Sequence, residues 1–351
     1  MQQEIRFTRS GDGTRIAHSA LGTGYPLVNV AHWLSHLEFD WQTPVWRPWM
    51  ERLAARYRLM RYDSRGCGLS DRDVQTSGLD EFVADLEAVV DAAGLDRFAL
   101  LGKSQGGAIS VAYAARHPER VSHVVLCGAF ARGELRRDPS PQQRAAVEAM
   151  IQLVEVGWGA PNSAFVQMFT SLFFPQATPE QAAAFNEIQR RATSARHAAR
   201  LLRTLVELDA SPHLASVQCP TLVLHCRGDS ISPFEEGRFL AKSIAGARLE
   251  PLDSRNHVPL NGEPAFEALF AVLDDFLPGV PLTGAGFREL TAREREMLDL
   301  IARGLDNAQI AARLTLADKT VRNRITSIFV KIGAENRPQA IVRAREAGFG
   351  R

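Results

Sequence analysis

The sequence predicts an α/β protein: a mostly parallel β-sheet with helices on both faces and a helical cap, followed by a small all-α domain of four helices. Across the first ~280 residues short apolar runs alternate with amphipathic helical patterns, as in a sheet covered on both faces. After a Pro- and Gly-rich stretch only helical patterns remain. With 351 residues, 45% of them hydrophobic and 23% charged, the chain has an ordinary globular composition and room for two domains.

The predicted strands are short and rich in Val, Leu or Phe, and each ends near a residue that favours a loop. Ile5–Arg9 and Thr14–Leu21 flank Ser10-Gly11-Asp12-Gly13, which predicts an opening hairpin. The later strands are predicted at Pro26–Val30, Tyr57–Tyr62, Arg97–Leu101, Val121–Cys127, Thr221–Cys226 and Arg248–Leu252. Between them, segments such as Leu79–Ala93 carry apolar residues at helical spacing.

Residues 129–214 lack a strand pattern and contain only helical runs interrupted by prolines. This indicates a helical insertion that lies over the sheet as a cap. Its aromatic side chains could line a pocket, but we expect most of them to form the insertion's own core. These aromatic residues are Trp158, Phe165, Phe169, Phe173, Phe174 and Phe185.

A domain boundary is predicted at residues 278–286, where Gly and Pro dominate and no periodicity survives. We interpret this stretch as a linker between a body, residues 1–277, and a tail, residues 287–351. The tail has 13 basic and 8 acidic residues, a net charge of +5, whereas the remainder carries a net charge of −4. A basic tail on an acidic body is consistent with a polyanionic partner, and equally with a solvated basic helix.

Composition excludes several classes of protein. No stretch approaches the ~18 consecutive apolar residues of a membrane-spanning helix, and the N-terminus has no secretory pattern. The four cysteines, Cys67, Cys127, Cys219 and Cys226, form no C-x-x-C pair and no metal-ligand spacing. We therefore expect reduced, packed thiols in a cytoplasmic protein without a metal or a cofactor.

A nucleophile is predicted at Ser104. The strand Arg97–Leu101 is followed by Gly102-Lys103-Ser104-Gln105-Gly106-Gly107 and then by the helical run Ala108–Arg116, which is G-x-S-x-G between a strand and a helix. Such a sharp turn strains the backbone at the serine and requires small neighbours. It places the hydroxyl above the sheet, with the helix N-terminus directed at it.

A serine hydroxyl needs a base, and the base needs an acid that fixes its tautomer. Asp229 follows the strand Thr221–Cys226, and His257 follows the strand that ends near Leu252. Ser104, Asp229 and His257 thus follow three strand ends in the order Ser, Asp, His. The alternatives are that Asp229 is only a turn residue and that His257 is only a loop histidine.

These features resemble the α/β-hydrolase family over residues 1–277. Asp63-Ser64-Arg65-Gly66-Cys67-Gly68-Leu69-Ser70-Asp71 resembles its D-x-R-G-x-G-x-S motif, and the helical insertion falls where the family places its cap. The resemblance implies that Ser104 is the nucleophile, His257 the general base and Asp229 its orienting acid. A serine at this position argues against haloalkane dehalogenase or epoxide hydrolase chemistry.

The resemblance also implies an oxyanion hole formed by the backbone N–H groups of Gln105 and Trp33. The segment before Trp33 departs from the family, because Ala31 and His32 replace its His-Gly pair. Losing one donor costs about 2.7–4 kcal/mol of transition-state stabilisation. We therefore expect that binding is retained where turnover is slow.

The tail is predicted to form four short helices, the first with a capping box from Thr291 to Glu294. In the helix Asp318–Ile332 the apolar residues Val321, Ile325, Ile328 and Ile332 share one face, opposite a basic and polar face. The tail resembles the LuxR-type DNA-binding domain. The resemblance rests on Leu290-Thr291-x-Arg293-Glu294, Asn307, Ile310-Ala311, Thr320-Val321, Lys331-Ile332-Gly333, Asn336-Arg337 and Ala340.

By position on this helix, Lys319, Arg322, Asn323 and Thr326 are assigned to base edges. Thr320, Arg324, Ser327 and Lys331 are assigned to phosphates. Each of them could instead be an ordinary solvated residue. The resemblance further implies a homodimer that contacts its partner through Ile341 and Ala344 of the last helix, so that two recognition helices meet a near-palindromic duplex.

Three functions remain open from the sequence. The first is a ligand-responsive transcription regulator that binds, and slowly hydrolyses, a small apolar ester or lactone. The second is a serine hydrolase with the helix-turn-helix as an accessory module, and the third is a sensor without turnover. The DNA reader favours the first, because a hydrolase needs no such module. The complete triad disfavours the third.

Overall fold

The computed structural model describes residues 3–74, 78–159, 164–277, 290–332, 334, 336–346 and 349–350. The predicted linker, residues 278–286, lies outside these residues. So does Pro161, one of the prolines of the predicted helical insertion. The chain divides into two compact units, Met1–Gly22 with Pro26–Leu277, and Pro278–Arg351 with Thr23–Tyr25. Among the helices described, none is long and apolar enough to cross a membrane.

The first unit contains an eight-stranded sheet, and the predicted strands are confirmed within one or two residues. The strands are β1 Glu4–Arg9, β2 Arg15–Leu21, β3 Tyr25–Val30, β4 Tyr57–Tyr62, β5 Phe98–Lys103, β6 Val121–Cys127, β7 Thr221–Cys226 and β8 Arg248–Leu252. Their order is β1-β2-β4-β3-β5-β6-β7-β8. The β1–β2 and β2–β4 pairs are antiparallel, whereas β3, β5, β6, β7 and β8 pair in parallel in that order.

The central strands are buried because helices cover both faces of a parallel sheet. Every residue of β5 and β7 is buried, whereas β1, at the edge, has no fully buried residue. The body helices are α1 Leu37–Asp40, α2 Arg47–Ala54, α3 Leu79–Ala92, α4 Gln105–Arg116, and, after the cap, α9 Phe234–Ser243 and α10 Pro264–Phe276. In α3 the predicted face is confirmed, since its apolar residues at positions 82, 86, 89 and 90 are all buried.

The predicted helical insertion is confirmed between β6 and β7. It contains α5 Pro141–Gly157, α6 Ala164–Phe173, α7 Pro179–Ala192 and α8 Ala195–Glu207. Two of its prolines begin helices rather than interrupt them: Pro141 and Pro179 occupy first-turn positions behind Ser140 and Thr178, each of which forms a capping box. Only a single isolated bridge, Arg132 with Asp209, pairs extended backbone in the described part of this segment.

The segment 63–71 that carries the D-x-R-G-x-G-x-S pattern is a compact turn closed by its own side chains. Asp63 Oδ2 accepts a hydrogen bond from the Leu69 backbone N–H at 2.9 Å. The Ser70 hydroxyl donates to the Asp63 carbonyl at 2.8 Å and accepts from the Ala17 N–H at 3.0 Å. The polar residues of the pattern therefore bind the turn that follows β4 to strand β2.

Arg65 from the same segment is buried with two carboxylate partners. Its Nε and Nη2 donate to the two carboxylate oxygens of Asp85 on α3, at 2.8 and 2.7 Å, and its Nη1 donates to Asp12 at 2.7 Å. A planar guanidinium matches a carboxylate in this two-pronged geometry. Arg65 thus links the turn, helix α3 and the opening hairpin.

The second unit contains the four predicted helices, α11 Ala292–Ala302, α12 Asn307–Leu314, α13 Asp318–Ile332 and α14 Arg337–Glu346. The capping box from Thr291 to Glu294 is confirmed, and Gly304, with φ +90°, follows the end of α11 as expected of a glycine. The apolar face of α13 is confirmed as well: its residues at 321, 325, 328 and 332 are buried in the unit's core.

The predicted dimer contact through Ala344 is wrong. Ala344 is completely buried in the core of its own unit, and Ile341 is half-buried against the same core. The exposed large apolar residue of α14 is Val342. The last helix contacts α11 along this inward face, so Ala344 is committed to packing within one chain.

Candidate active site

Ser104 occupies the sharp turn between β5 and α4. Its backbone has φ 50° and ψ −123°, a conformation that L-residues rarely adopt. The Ser104 N–H donates to the Cys127 carbonyl on β6 at 3.1 Å, and its carbonyl accepts from the Gly107 N–H at 3.0 Å. These bonds hold the residue in a strained geometry that costs about 1–3 kcal/mol.

The glycines of the turn are required by close packing. A Cβ at Gly102 would lie 2.5 Å from the Gly106 carbonyl oxygen and 2.5 Å from the Ser110 hydroxyl. At Gly106 it would lie 3.1 Å from the Val30 carbonyl oxygen on β3. Helix α4 therefore lies close to β3 and β5, and Ser104, directly before the first residue of α4, lies at the carboxyl edge of the sheet.

Asp229 and His257 are joined at that same edge. His257 Nδ1 lies 2.8 Å from Asp229 Oδ2, and Asp229 Oδ1 accepts the backbone N–H groups of Ile231 and Ser232 at 2.9 and 3.1 Å. Burial raises the pKa of Asp229, but His257, His225 and the Ser232 N–H outweigh it and keep the pKa below its usual value. Asp229 is thus an ionised acceptor that orients the imidazole ring.

The other nitrogen of His257 is directed away from Asp229. Nε2 is buried and has no hydrogen-bond partner among the described residues, so no hydrogen bond joins it to Ser104. Both side chains line one small pocket of about 20 Å³. Catalytic hydrogen bonds are often long before substrate binds. Ser104 and His257 therefore line the same pocket, but no hydrogen bond joins the serine hydroxyl to the imidazole.

The two expected oxyanion donors are free. The backbone N–H groups of Trp33 and Gln105 make no hydrogen bond to any described residue. Trp33 lines the same pocket as Ser104, and Gln105 directly follows Ser104 as the first residue of α4. The Gln105 side chain is fully buried, and both polar atoms of its amide lack a partner within the described structure.

A larger cavity of about 270 Å³ lies between the cap and the sheet, and Ser104 and Trp33 line it too. We call it the cap cavity. Its walls are apolar over most of their extent. The wall residues include Phe130, Val147, Met150, Phe169, Leu172, Phe173, Leu202, Leu205, Val206 and Ile231.

The aromatic residues of the cap divide between the two alternatives. Phe169 and Phe173 line the cap cavity, while Phe173, Phe174 and Phe185 line the small pocket. Trp158 packs edge-on against Trp33 at 5.5 Å instead. The His257 N–H also donates to the Phe173 carbonyl at 2.8 Å, which connects the cap directly to the histidine loop.

Two cationic side chains at this site were not singled out from the sequence. Lys103 is buried, and its Nζ lies 4.7 Å from the Trp46 ring and 5.0 Å from the Trp49 ring. Burial lowers its pKa to about 8. Arg137, on the segment between β6 and α5, lines the cap cavity. Lys103 lies inside the G-x-S-x-G motif, so its position next to Ser104 could have been recognised from the sequence. Arg137 is one of several arginines in its segment, and nothing in the sequence distinguishes it from the others.

The predicted DNA-contacting residues lie on α13, opposite the buried face. Lys319, Arg322, Asn323, Thr326 and Ser327 are exposed, and Thr320, Arg324 and Lys331 are half-buried. The Thr326 hydroxyl donates to the Arg322 carbonyl at 3.1 Å within the helix. Lys331 is engaged, because its ammonium donates to both carboxylate oxygens of Glu294.

Among the described residues, no group of three or more His, Cys, Asp and Glu side chains is placed to hold a metal ion. The four cysteines are free thiols, as predicted, and three of them are buried. Cys219 is only partly buried.

The sheet order, the strained serine turn and the capped cavity define a hydrolase-type domain, and four helices define a second, smaller one. Residues 35–261 match the alpha/beta hydrolase fold family, and the chain belongs to it. Residues 288–344 match the family of bacterial regulatory proteins, luxR family, so the chain also carries a LuxR-type helix-turn-helix domain.

Similar proteins were found for the hydrolase domain. The AB hydrolase superfamily protein YisY of Bacillus subtilis is 30% identical over 244 residues, covering 68% of this chain and 86% of its own. An esterase from Exiguobacterium antarcticum has a TM-score of 0.65 at 25% identity, covering 77% of this chain and 98% of its own. A hydrolase of Pseudomonas aeruginosa has a TM-score of 0.64 at 25% identity, covering 79% and 99%.

Proposed function

We propose that this chain is a ligand-responsive transcription regulator. Its hydrolase-fold body, residues 1–277, binds and slowly hydrolyses a small apolar ester or lactone. Its tail, residues 287–351, binds double-stranded DNA, and residues 278–286 link the two. The observation that carries the proposal is that Ser104 lines the cap cavity while His257, held by Asp229 at 2.8 Å, lines the small pocket with it.

The proposed chemistry is acyl transfer. Ser104 Oγ attacks the carbonyl carbon as its proton passes to His257 Nε2, and the imidazolium then donates that proton to the departing alkoxide. A water molecule repeats the sequence on the acyl-enzyme, which releases the acid and restores Ser104. The N–H groups of Trp33 and Gln105 stabilise the oxyanion. Asp229 keeps the proton on Nδ1, so Nε2 is the basic nitrogen.

The assignment of a regulator rests on the tail. A LuxR-type domain and a polar, basic face on α13 support DNA binding. We assign Lys319, Arg322, Asn323 and Thr326 to base edges, and Thr320, Arg324 and Ser327 to phosphates. Lys331, which the sequence assigned to a phosphate, is bound by Glu294 instead. We also propose that the protein acts in the cytoplasm as a homodimer, because two recognition helices can then meet a near-palindromic site.

A second candidate is a sensor with the same fold but without turnover. The observation in its favour is that His257 Nε2 makes no hydrogen bond to Ser104 or to any other described residue. In that case the cap cavity binds its ligand reversibly, and the triad residues serve only as a polar floor. The second candidate predicts regulation without cleavage.

Ester hydrolysis tests the chemistry. We expect the full chain to hydrolyse a p-nitrophenyl ester, and Ser104→Ala to lower kcat by at least ~10³-fold with unchanged unfolding. Ser171→Ala is the control, since this serine is exposed on α6 and its hydroxyl only caps the Met168 carbonyl. Hydrolysis that survives in Ser104→Ala would exclude Ser104 as nucleophile, and its absence in the wild type would favour the sensor.

DNA binding tests the regulator. The full chain is used to select duplexes from a random library, and affinity for the selected duplex is measured against salt. We expect a linear fall of log affinity with log salt. Asn323→Ala should relax sequence preference, and Lys319→Ala should also weaken affinity. A chain that selects no duplex would rule the regulator out.

A further inference from the structure

The cap cavity contains a charged group that an apolar ligand would not require. Most of its wall is hydrophobic, but Glu134 and Arg137 also line it. Both lie on the segment that leads from β6 into the cap. Glu134 is exposed to solvent, whereas the Arg137 side chain is only 18% exposed. Arg137 is therefore the charge that the cavity shelters from water.

The contacts of Arg137 use one side of its guanidinium. Nε donates to the Arg132 carbonyl at 2.7 Å, and the same Nε lies 3.7 Å from Glu236 Oε1. Its Cζ lies 5.6 Å from the ring of Phe130, which also lines the cavity. The two terminal amino groups, Nη1 and Nη2, make no hydrogen bond to any described residue. One pair of donors is thus left for a ligand.

The nearby charges do not neutralise Arg137. Glu236 is buried and is already bound by Arg132, whose Nη2 lies 2.6 Å from Glu236 Oε1. Two guanidinium groups therefore share one buried carboxylate. Glu134 forms no ion pair within 4 Å of Arg137 among the described residues, and water screens an exposed charge. Burial lowers the pKa of Arg137, which reflects the cost of keeping this cation beside apolar walls.

We propose that Arg137 binds a carboxylate of the ligand, so that the ligand is an ester or lactone whose apolar chain ends in an anionic group. This inference rests on the proposed function, since it places the reacting carbonyl at Ser104. The two free amino groups match the two oxygens of a carboxylate. The apolar chain of the ligand, between its reacting carbonyl and its carboxylate, lies against Phe130 and the apolar wall of the cavity. At about 270 Å³ the cavity admits one small molecule.

A matched pair of esters tests the assignment. Mono-p-nitrophenyl adipate and p-nitrophenyl hexanoate have six-carbon acyl chains and differ only in the terminal carboxylate. We expect wild-type kcat/KM to favour the adipate ester by about 10- to 100-fold. Arg137→Met should remove that preference, mainly by raising KM for the adipate ester. Arg137→Lys should restore part of it.

The control is Arg136→Met, because Arg136 is the neighbouring arginine and forms a surface ion pair with Glu207 at 3.1 Å. It should change neither ester. If Arg137→Met slows both esters equally, or if the wild type prefers the hexanoate ester, the carboxylate assignment is wrong while Ser104 chemistry stands.

A binding measurement separates this inference from the proposed catalysis. Thermal unfolding of the full-length Ser104→Ala variant is followed with monomethyl adipate and with dimethyl adipate. The monoester should raise Tm more than the diester, and the added change Arg137→Met should abolish the difference. This result would support Arg137 even if neither ester were hydrolysed. Equal shifts with and without Arg137 would overturn the inference.

Discussion

Lys331, in the last turn of α13, donates to both carboxylate oxygens of Glu294, at 2.7 and 2.8 Å. Glu294 also closes the capping box of α11, where it accepts from the Thr291 N–H at 2.8 Å. Lys331 and the Thr291 N–H together lower the pKa of Glu294. One carboxylate thus connects the start of α11 to the end of the helix predicted to meet DNA.

Lys331→Ala is therefore expected to affect stability more than DNA affinity. The substitution should lower the free energy of unfolding by about 0.5–1 kcal/mol at neutral pH. The effect should vanish as pH falls through the lowered pKa of Glu294, because the stabilisation exists only while that carboxylate is ionised. Chemical unfolding of the full chain at pH 7 and pH 3 measures this.

Lys319→Ala is the matched comparison, since Lys319 is exposed on the same helix. It should weaken affinity for the selected duplex and leave stability within ±0.5 kcal/mol. A larger loss of affinity in Lys331→Ala than in Lys319→Ala would show that DNA displaces Glu294 from Lys331.

Asp85→Asn should destabilise the body by about 3 kcal/mol, because it removes the two-pronged partner of the fully buried Arg65. Asp80→Asn, on the same helix α3, is the control. Asp80 pairs with Arg116 at the surface, so its loss should change stability by less than about 0.5 kcal/mol. Urea unfolding measures the free energy of unfolding of both variants. Equal losses would mean that the buried ion pair between Arg65 and Asp85 contributes no more to stability than the surface pair.

Gly102→Ala should cost about 1–3 kcal/mol or prevent folding, since the new Cβ would lie 2.5 Å from a backbone oxygen of α4. If the protein folds, the displaced turn should also lower the kcat of ester hydrolysis. Gly11→Ala is a suitable comparison, because a Cβ there would meet no atom within 4 Å. Thermal unfolding measures the Tm of both variants. An unchanged Tm in Gly102→Ala would contradict the tight packing of α4 against this turn.

Lys103→Met should stabilise the body by about 1–3 kcal/mol at pH 7, after allowance for its contacts with Trp46 and Trp49. Between pH 8 and about 10.5 the unfolded lysine binds a proton that the folded one has lost. Wild-type stability therefore rises with pH there, and the advantage of Met should shrink. Unfolding at pH 7, 9 and 10 measures it; an advantage that stays constant would show that Lys103 is not a charge penalised by burial.

Much of the fold could be read from the sequence because each strand is an apolar run that ends at a turn residue. Tyr57–Tyr62, Val121–Cys127, Thr221–Cys226 and Arg248–Leu252 have the bounds predicted for them. The grouping of Asp229 with His257 follows from the same logic, because the carboxyl ends of parallel strands share one edge. The local sequence pattern is enough to predict a strand or a turn when residues close together in the chain determine it.

What the sequence could not provide depends on contacts between distant residues. Glu294 and Lys331 are 37 positions apart, and nothing local pairs them. The packing of Lys103 on two tryptophans depends on how α2 covers the sheet. Ala344 was expected at a dimer contact because of the resemblance to the LuxR-type domain, whereas the structure buries it in the core of its own unit.

Most walls of the cap cavity come from residues 130–206, whereas the sheet and its loops contribute Trp33, Ser104, Ser230 and Ile231. The nucleophile and most of the cavity wall are thus encoded in separate stretches of the chain. Exchanging the segment 129–214 for that of a relative would change the cavity wall, and with it the ligand preference, while keeping Ser104. If the proposed regulator function holds, such an exchange would couple the same DNA-binding tail to a different ligand.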